Sequence, residues 1–172
     1  MSAGSSYDMI MLDGHIIIMG VSGCGKSTVG KMLAEHLGRP FLEGDDFHPA
    51  ENVSKMASGQ ALTNQDREAW IKALCHSANE SQLSIIACSA LNATVRNWLG
   101  AGLEKSVSYI WLKGSETLLA KRLATRSNHF FSPSLLASQF AALDPQEDAI
   151  AVSVNQPVEA IIAEILSALD DE

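Results

Sequence analysis

Apolar residues in this chain fall in short runs, separated by longer stretches in which they recur every three or four positions. HIIIM (15–19), PFLE (40–43), LSIIACS (83–89), VSYIWL (107–112) and AIAVSV (149–154) are segments of strand length, most of them rich in Ile and Val. KSTVGKMLAEHL (26–37) shows the helical spacing that follows the first of them. Five strands, each followed by helix-like sequence, predict an α/β fold with a parallel sheet covered on both faces. The ligand edge of such a sheet is where strands hand over to helices. Between the second and third strands, Pro49 suits the first position of a short helix and Gly59 its end. Asn64, with Arg67 and Glu68, suits the capped start of another helix. These helices form an insert over about residues 45–80. ATRSNHFFS (124–132) is a polar stretch with two phenylalanines between helical patterns, and it suggests a mobile lid over about residues 123–140. The expected organisation is a frayed N-terminus, 1–14, and one domain, 15–172.

Composition agrees with a single domain. At 172 residues, 47% hydrophobic and 19% charged, the chain can bury its own core. A net charge of −8 argues against nucleic acid or an anionic membrane as partner, because both need a basic face. An anionic ligand must then be met by local positive groups. The run at 15–19 is too short for a membrane span or a secretory signal, so the expectation is a soluble cytoplasmic protein. Cys24, Cys75 and Cys88 are odd in number and widely spaced, which fits reduced apolar residues rather than a disulfide framework or a zinc site.

Directly after the first strand, GVSGCGKST (20–28) fits GxxxxGK[ST]. Gly20, Val21, Ser22, Gly23, Cys24 and Gly25 would turn backbone N–H groups inward around phosphate oxygens. The helix that follows, starting at Lys26, Ser27 and Thr28, adds its own unpaired N–H groups and partial positive charge. Lys26 would reach the terminal phosphates and Ser27 would ligate Mg²⁺. Strand before and helix after satisfy the context this motif needs, so a nucleoside triphosphate site with ATP and Mg²⁺ is expected.

The third strand, SIIACS, ends at Ser89 with no acid close behind it, so the charge that orients the metal must come from elsewhere. FLEGDDFHP (41–49) crowds Glu43, Asp45, Asp46 and His48 at the tip of the second strand. Asp45 is placed to help hold hydrated Mg²⁺, to hydrogen-bond an acceptor hydroxyl, or both.

MGVSGCGKST, GDDFHPAENVSKMASGQALTNQDREAW, CSAL with Arg96 beyond it, and HFFSPSLLASQFAAL together resemble the gluconokinases. These are small P-loop kinases akin to shikimate and adenylate kinases, and the resemblance runs from His15 to the C-terminal helix. It implies a P-loop NTPase kinase fold with a five-stranded parallel sheet, order 2-3-1-4-5, sandwiched by helices, with a helical substrate-binding insert and an arginine-bearing lid. The implied reaction is phosphorylation of D-gluconate by ATP at the 6-hydroxyl, and the implied assembly is a homodimer. Asp45, His48, Lys55, Arg67 and Arg96 are then the expected contacts to the sugar acid, its carboxylate gripped by arginine. Arg122 and Arg126, four apart on one helical face, would close over the nucleotide, with His129 and Phe130 in the lid. Pro157, after Asn155 and Gln156, matches the loop that flanks adenine in related kinases.

The chain departs from the family where CSALKKxYRD is usual. It reads CSALNATVRN, with Asn92, Ala93, Val95 and Asn97 in place of two lysines, a tyrosine and an aspartate. Loss of two cations beside the pocket predicts weaker attraction for the acid, unless those positions lie outside the pocket and act only on the surface. Glu43 stands where aspartate is common. Other readings are a kinase for another sugar acid or a shikimate-like acid, and a non-catalytic ATP-binding switch.

Overall fold

In the computed structural model, which describes residues 13–125 and 133–171, β1 (His15–Met19) is buried along its length. Its side chains alternate between two cores. Ile16 and Ile18 join Val29, Leu33, Ile161 and Ile165 on one face, while Ile17 and Met19 join Trp70, Leu74, Val95 and Leu99 on the other. Period-two alternation between two buried layers is why the strand reads as an unbroken apolar run.

The remaining strands are β2 (Phe41–Glu43), β3 (Ile85–Ala87), β4 (Val107–Lys113) and β5 (Ile150–Ser153). All pairings are parallel and the order is β2-β3-β1-β4-β5, as expected. Glu43 is level with Ala87, and Ala87 with Ile18. The acidic tip of β2 therefore stands at the same edge as the loop that leaves β1.

The helices are α1 (Lys26–Leu37), α2 (Ala50–Ala57), α3 (Asn64–Glu80), α4 (Ala93–Gly102), α5 (Glu116–Ala124), α6 (Pro133–Ala142) and α7 (Val158–Asp170). Of these, α1 and α7 pack on the first core and α3 and α4 on the second. A 3₁₀ turn, Gly44–Phe47, leads from β2 into the insert. The cap of α3 falls one residue before Asn64: Thr63 Oγ1 accepts from the Asp66 N–H, and the Asp66 carboxylate accepts from the Thr63 N–H. This reciprocal pairing satisfies two donors at once. The centre of the expected lid, 126–132, with Arg126, His129 and Phe130, lies outside the described residues.

Among the described residues no helix is long and apolar enough to cross a membrane. Cys24, Cys75 and Cys88 are free and buried. Burial pushes the Cys75 and Cys88 thiols up to about 11 and about 12, which suppresses the reactive thiolate.

Candidate active site

The loop from Gly20 to Gly25 joins β1 to α1. Gly25, at φ 94°, occupies the N-cap position of α1 in a left-handed conformation that favours glycine, and it turns the loop amides inward. The Lys26 ammonium lies back across the loop, donating to the carbonyls of Gly20 at 3.0 Å and Val21 at 3.2 Å. From α6, Gln139 Oε1 accepts from the Ser22 N–H at 2.7 Å. A side-chain oxygen thus engages one of the amides that this motif offers to phosphate.

A cleft of about 820 Å³ opens over the loop, and Ser22, Lys26 and Ser27 share it with Asp45, His48 and Arg67. That volume suits a small ligand with a few converging polar groups. A shallower depression along α5, near Glu116 and Lys121, has no such convergence.

Glu43, rather than Asp45, is the acid that reaches the phosphate loop: Ser27 Oγ donates to Glu43 Oε2. The acid that meets Ser27 is Glu43, where β2 ends, and not Asp45, the expected partner of Ser27 at the metal. Asp45 is one residue into the 3₁₀ turn, lines the cleft and has a side chain 77% exposed. The turn sits close against β3, where a Cβ on Gly44 would lie 2.2 Å from the Ala87 carbonyl oxygen. Glycine at that position lets the backbone approach and fixes where Asp45 begins.

Opposite the loop, the His48 ring stacks on Trp70, with centroids 4.0 Å apart and an interplanar angle of 18°. The indole N–H of Trp70 donates to the Gly44 carbonyl at 2.7 Å, so α3 holds both the turn and the ring. His48 Nδ1 is 3.2 Å from the amide nitrogen of Asn52, and Nε2 is 3.8 Å from Asp45 Oδ1. Burial lowers the proton affinity of His48; Asp45 opposes this and Arg67 adds to it. Arg67, in the first turn of α3, donates to Asn64 Oδ1 at 3.3 Å and lines the cleft.

Other expected contacts lie elsewhere. Lys55 is 2.7 Å from Asp66 Oδ2, where it ties α2 to the cap of α3 and is absent from the cleft wall. Its hydrogen bond, with that from the Thr63 N–H, pushes the Asp66 carboxyl down to about 2. Arg96 is 5% exposed and turned inward, donating to the Ala90 carbonyl at 2.9 Å and to the Asp144 carbonyl. Ala90 holds φ 44°, a left-handed value uncommon for alanine, so Arg96 braces a strained turn whose neighbours Ser89 and Leu91 line the cleft. Arg122 donates to the Val154 carbonyl at 2.7 Å, joining α5 to the end of β5, and Pro157 occupies the N-cap position of α7. Neither lines the cleft.

The departures in the CSAL segment also fall outside the cleft wall. Asn92 caps α4 by accepting from the Val95 N–H at 3.0 Å, and Val95 is core. The expected loss of attraction has no counterpart in the lining. Sequence reasoning gave no role to Asn52, Trp70 or Gln139. An apolar-run terminus was the available signal for Glu43; the others are set by tertiary packing.

Comparison with known proteins adds the family. The family model for shikimate kinase matches residues 22–169. The thermoresistant gluconokinase of Escherichia coli strain K12 is 38% identical over 166 residues, covering 91% of this chain and 94% of that protein. The gluconokinase of Gluconobacter oxydans strain 621H is 39% identical over 159 residues, covering 88% of each. The crystal structure of a gluconokinase from Sinorhizobium meliloti 1021 superposes with a TM-score of 0.84 at 39% identity, covering 93% of both chains. With the phosphate loop, the sheet order and these likenesses together, the chain belongs to the shikimate kinase family and, within it, to the gluconokinase family.

Proposed function

We propose that the protein transfers the γ-phosphoryl group of ATP to the 6-hydroxyl of D-gluconate, giving 6-phosphogluconate. One observation carries this reading: a single cleft has the phosphate loop on one wall and Asp45, His48 and Arg67 on the other. Gluconate is an acid at one end and a primary alcohol at the other. Arg67 pairs with the carboxylate through parallel N–H donors, which fixes the far end of the sugar acid. Asp45 accepts the hydroxyl proton as the new O–P bond forms and the bond to the departing ADP oxygen breaks.

Lys26 exchanges its loop carbonyls for the terminal phosphates. Ser27 and Glu43 fit Mg²⁺, which takes hard oxygen ligands from one or two protein groups and leaves room for phosphate and water. When bound, the ion neutralises charge on the phosphates. Among the described residues no group of three or more His, Cys, Asp or Glu is placed to hold a metal ion. Of the two arginines expected to close over the nucleotide, Arg122 donates to the Val154 carbonyl just past β5, and Arg126 lies outside the described residues.

A coupled ADP-release assay with a panel of acceptors tests the reading. Gluconate is expected to stimulate turnover strongly, while glucose, shikimate and nucleoside monophosphates do not. Asp45→Asn should lower turnover by about 10²–10⁴ and leave ATP binding in place. Equal turnover with and without every acceptor would point to a switch, and preference for another acid would replace gluconate.

A further inference from the structure

Asn52 is a polar residue on α2 that is only 3% exposed. Its amide nitrogen donates to the backbone carbonyl of Asp66 at 2.9 Å, an atom that can only accept. That bond fixes which end of the amide is nitrogen. The second N–H of the same nitrogen is directed to His48 Nδ1 at 3.2 Å. An amide nitrogen cannot accept, so Nδ1 must be the unprotonated ring nitrogen and the proton of neutral imidazole sits on Nε2.

We infer that Asn52 is a positioning residue that locks His48 as the Nε2–H tautomer, so that the cleft presents an N–H donor beside the Asp45 carboxylate acceptor. The inference rests on the proposed acceptor reading only for what the pair recognises; the tautomer itself follows from the contacts.

The ring cannot easily turn away from this arrangement. Trp70 covers one face of it, and the His48 side chain is only 4% exposed. The charged groups acting on it are Asp45 from the 3₁₀ turn and Arg67 from α3. Burial favours the neutral ring, which keeps Nδ1 an acceptor for Asn52.

A donor and an acceptor 3.8 Å apart suit a hydroxyl group, which can give its proton to the carboxylate and accept from the imidazole. A carboxylate or phosphate oxygen has no proton to offer and would be repelled by Asp45. An ammonium group could not accept from Nε2–H. The pair therefore selects an alcohol beside Asp45, in a cleft that Arg67 also lines.

The first test is nitrogen NMR of uniformly ¹⁵N-labelled full-length protein at pH 7.5, with His48 assigned by comparison with His48→Gln. The expected result is a pyrrole-type Nε2 and a pyridine-type Nδ1 for His48; the opposite pattern overturns the inference. This readout needs no substrate, so it stands even if gluconate proves not to be the acceptor. In Asn52→Ala the His48 signals should become those of a mixture of tautomers. The kcat/KM for gluconate should fall about three- to tenfold, the worth of one hydrogen bond, with a smaller change in KM for ATP. Wild-type signals and wild-type kinetics in that variant would overturn the assignment. His48→Gln keeps an N–H near the Nε2 position, whereas His48→Asn places its amide near Nδ1. Better retention of kcat/KM in His48→Gln is expected, and better retention in His48→Asn would overturn the inference without reference to Asn52.

Discussion

Replacing Arg96 with methionine separates a brace from a ligand. In the fold its guanidinium donates to the carbonyls of Ala90 and Asp144 at a site 5% exposed. Its Nε lies 2.9 Å from the Gln146 side-chain oxygen when that amide is turned to pair with both Arg96 and Asp148. Methionine fills much of the volume but donates nothing. Two carbonyls would lose charge-assisted partners, at about 1–3 kcal/mol each. Relief from burying a guanidinium offsets part of this, leaving a loss of about 3 kcal/mol. For a chain of 172 residues, at about 2–4 °C per kcal/mol, Tm should fall by about 6–12 °C. Release of the turn at Ala90 should also lower kcat, because Ser89 and Leu91 line the cleft. Calorimetry or urea melts, run beside gluconate kinetics at a temperature where the variant is folded, measure both. KM for gluconate should change less than about threefold, since no carboxylate contact is removed. A variant that melts within about 1 °C of the parent while its gluconate KM rises about tenfold would refute the brace and restore Arg96 as a ligand.

Removing the Gln139 side chain (Gln139→Ala) frees the Ser22 N–H for a phosphate oxygen and should lower KM for ATP about two- to tenfold; a higher KM would show that Gln139 assists the nucleotide instead. Lys55→Met should lower Tm only slightly, as its pair with Asp66 is partly exposed, and should leave gluconate KM nearly unchanged; a large rise in KM would place Lys55 on the substrate. Burial lowers the proton affinity of both His15 and His48, and Arg39 adds to the effect at His15. The unfolded chain then binds protons first as pH falls below 6.5, so this share of stability is complete above that value and lost below it. Urea midpoints should fall between pH 7.5 and about pH 5, before the carboxylates titrate, and a flat or rising profile would contradict the burial of the neutral rings.

What could be read from the chain was what local pattern encodes. The run at 15–19 had to be a strand facing two layers, and GVSGCGKST specifies its own turn and helix start within nine residues. Sheet order came with the family resemblance, because a parallel strand's neighbours are not written in its own sequence. An arginine beyond a strand end reads as a ligand from the sequence, and the carbonyls that hold Arg96, from residues 90 and 144, come together only in the fold. Glu43 and Asp45 are two residues apart, and only the register of a three-residue strand decides which meets Ser27. Gln139 reaches Ser22 across 117 positions of chain, a contact that no periodicity signals.

The cleft's two walls hang from very different parts of the sheet. Its nucleotide side grows out of β1, gripped by neighbours on both flanks, whereas its acceptor side grows out of β2, a rim strand of three residues with a partner on one flank only. The Ser27–Glu43 contact is the tie between the two, so the tip of that rim strand bears on both sides of the cleft.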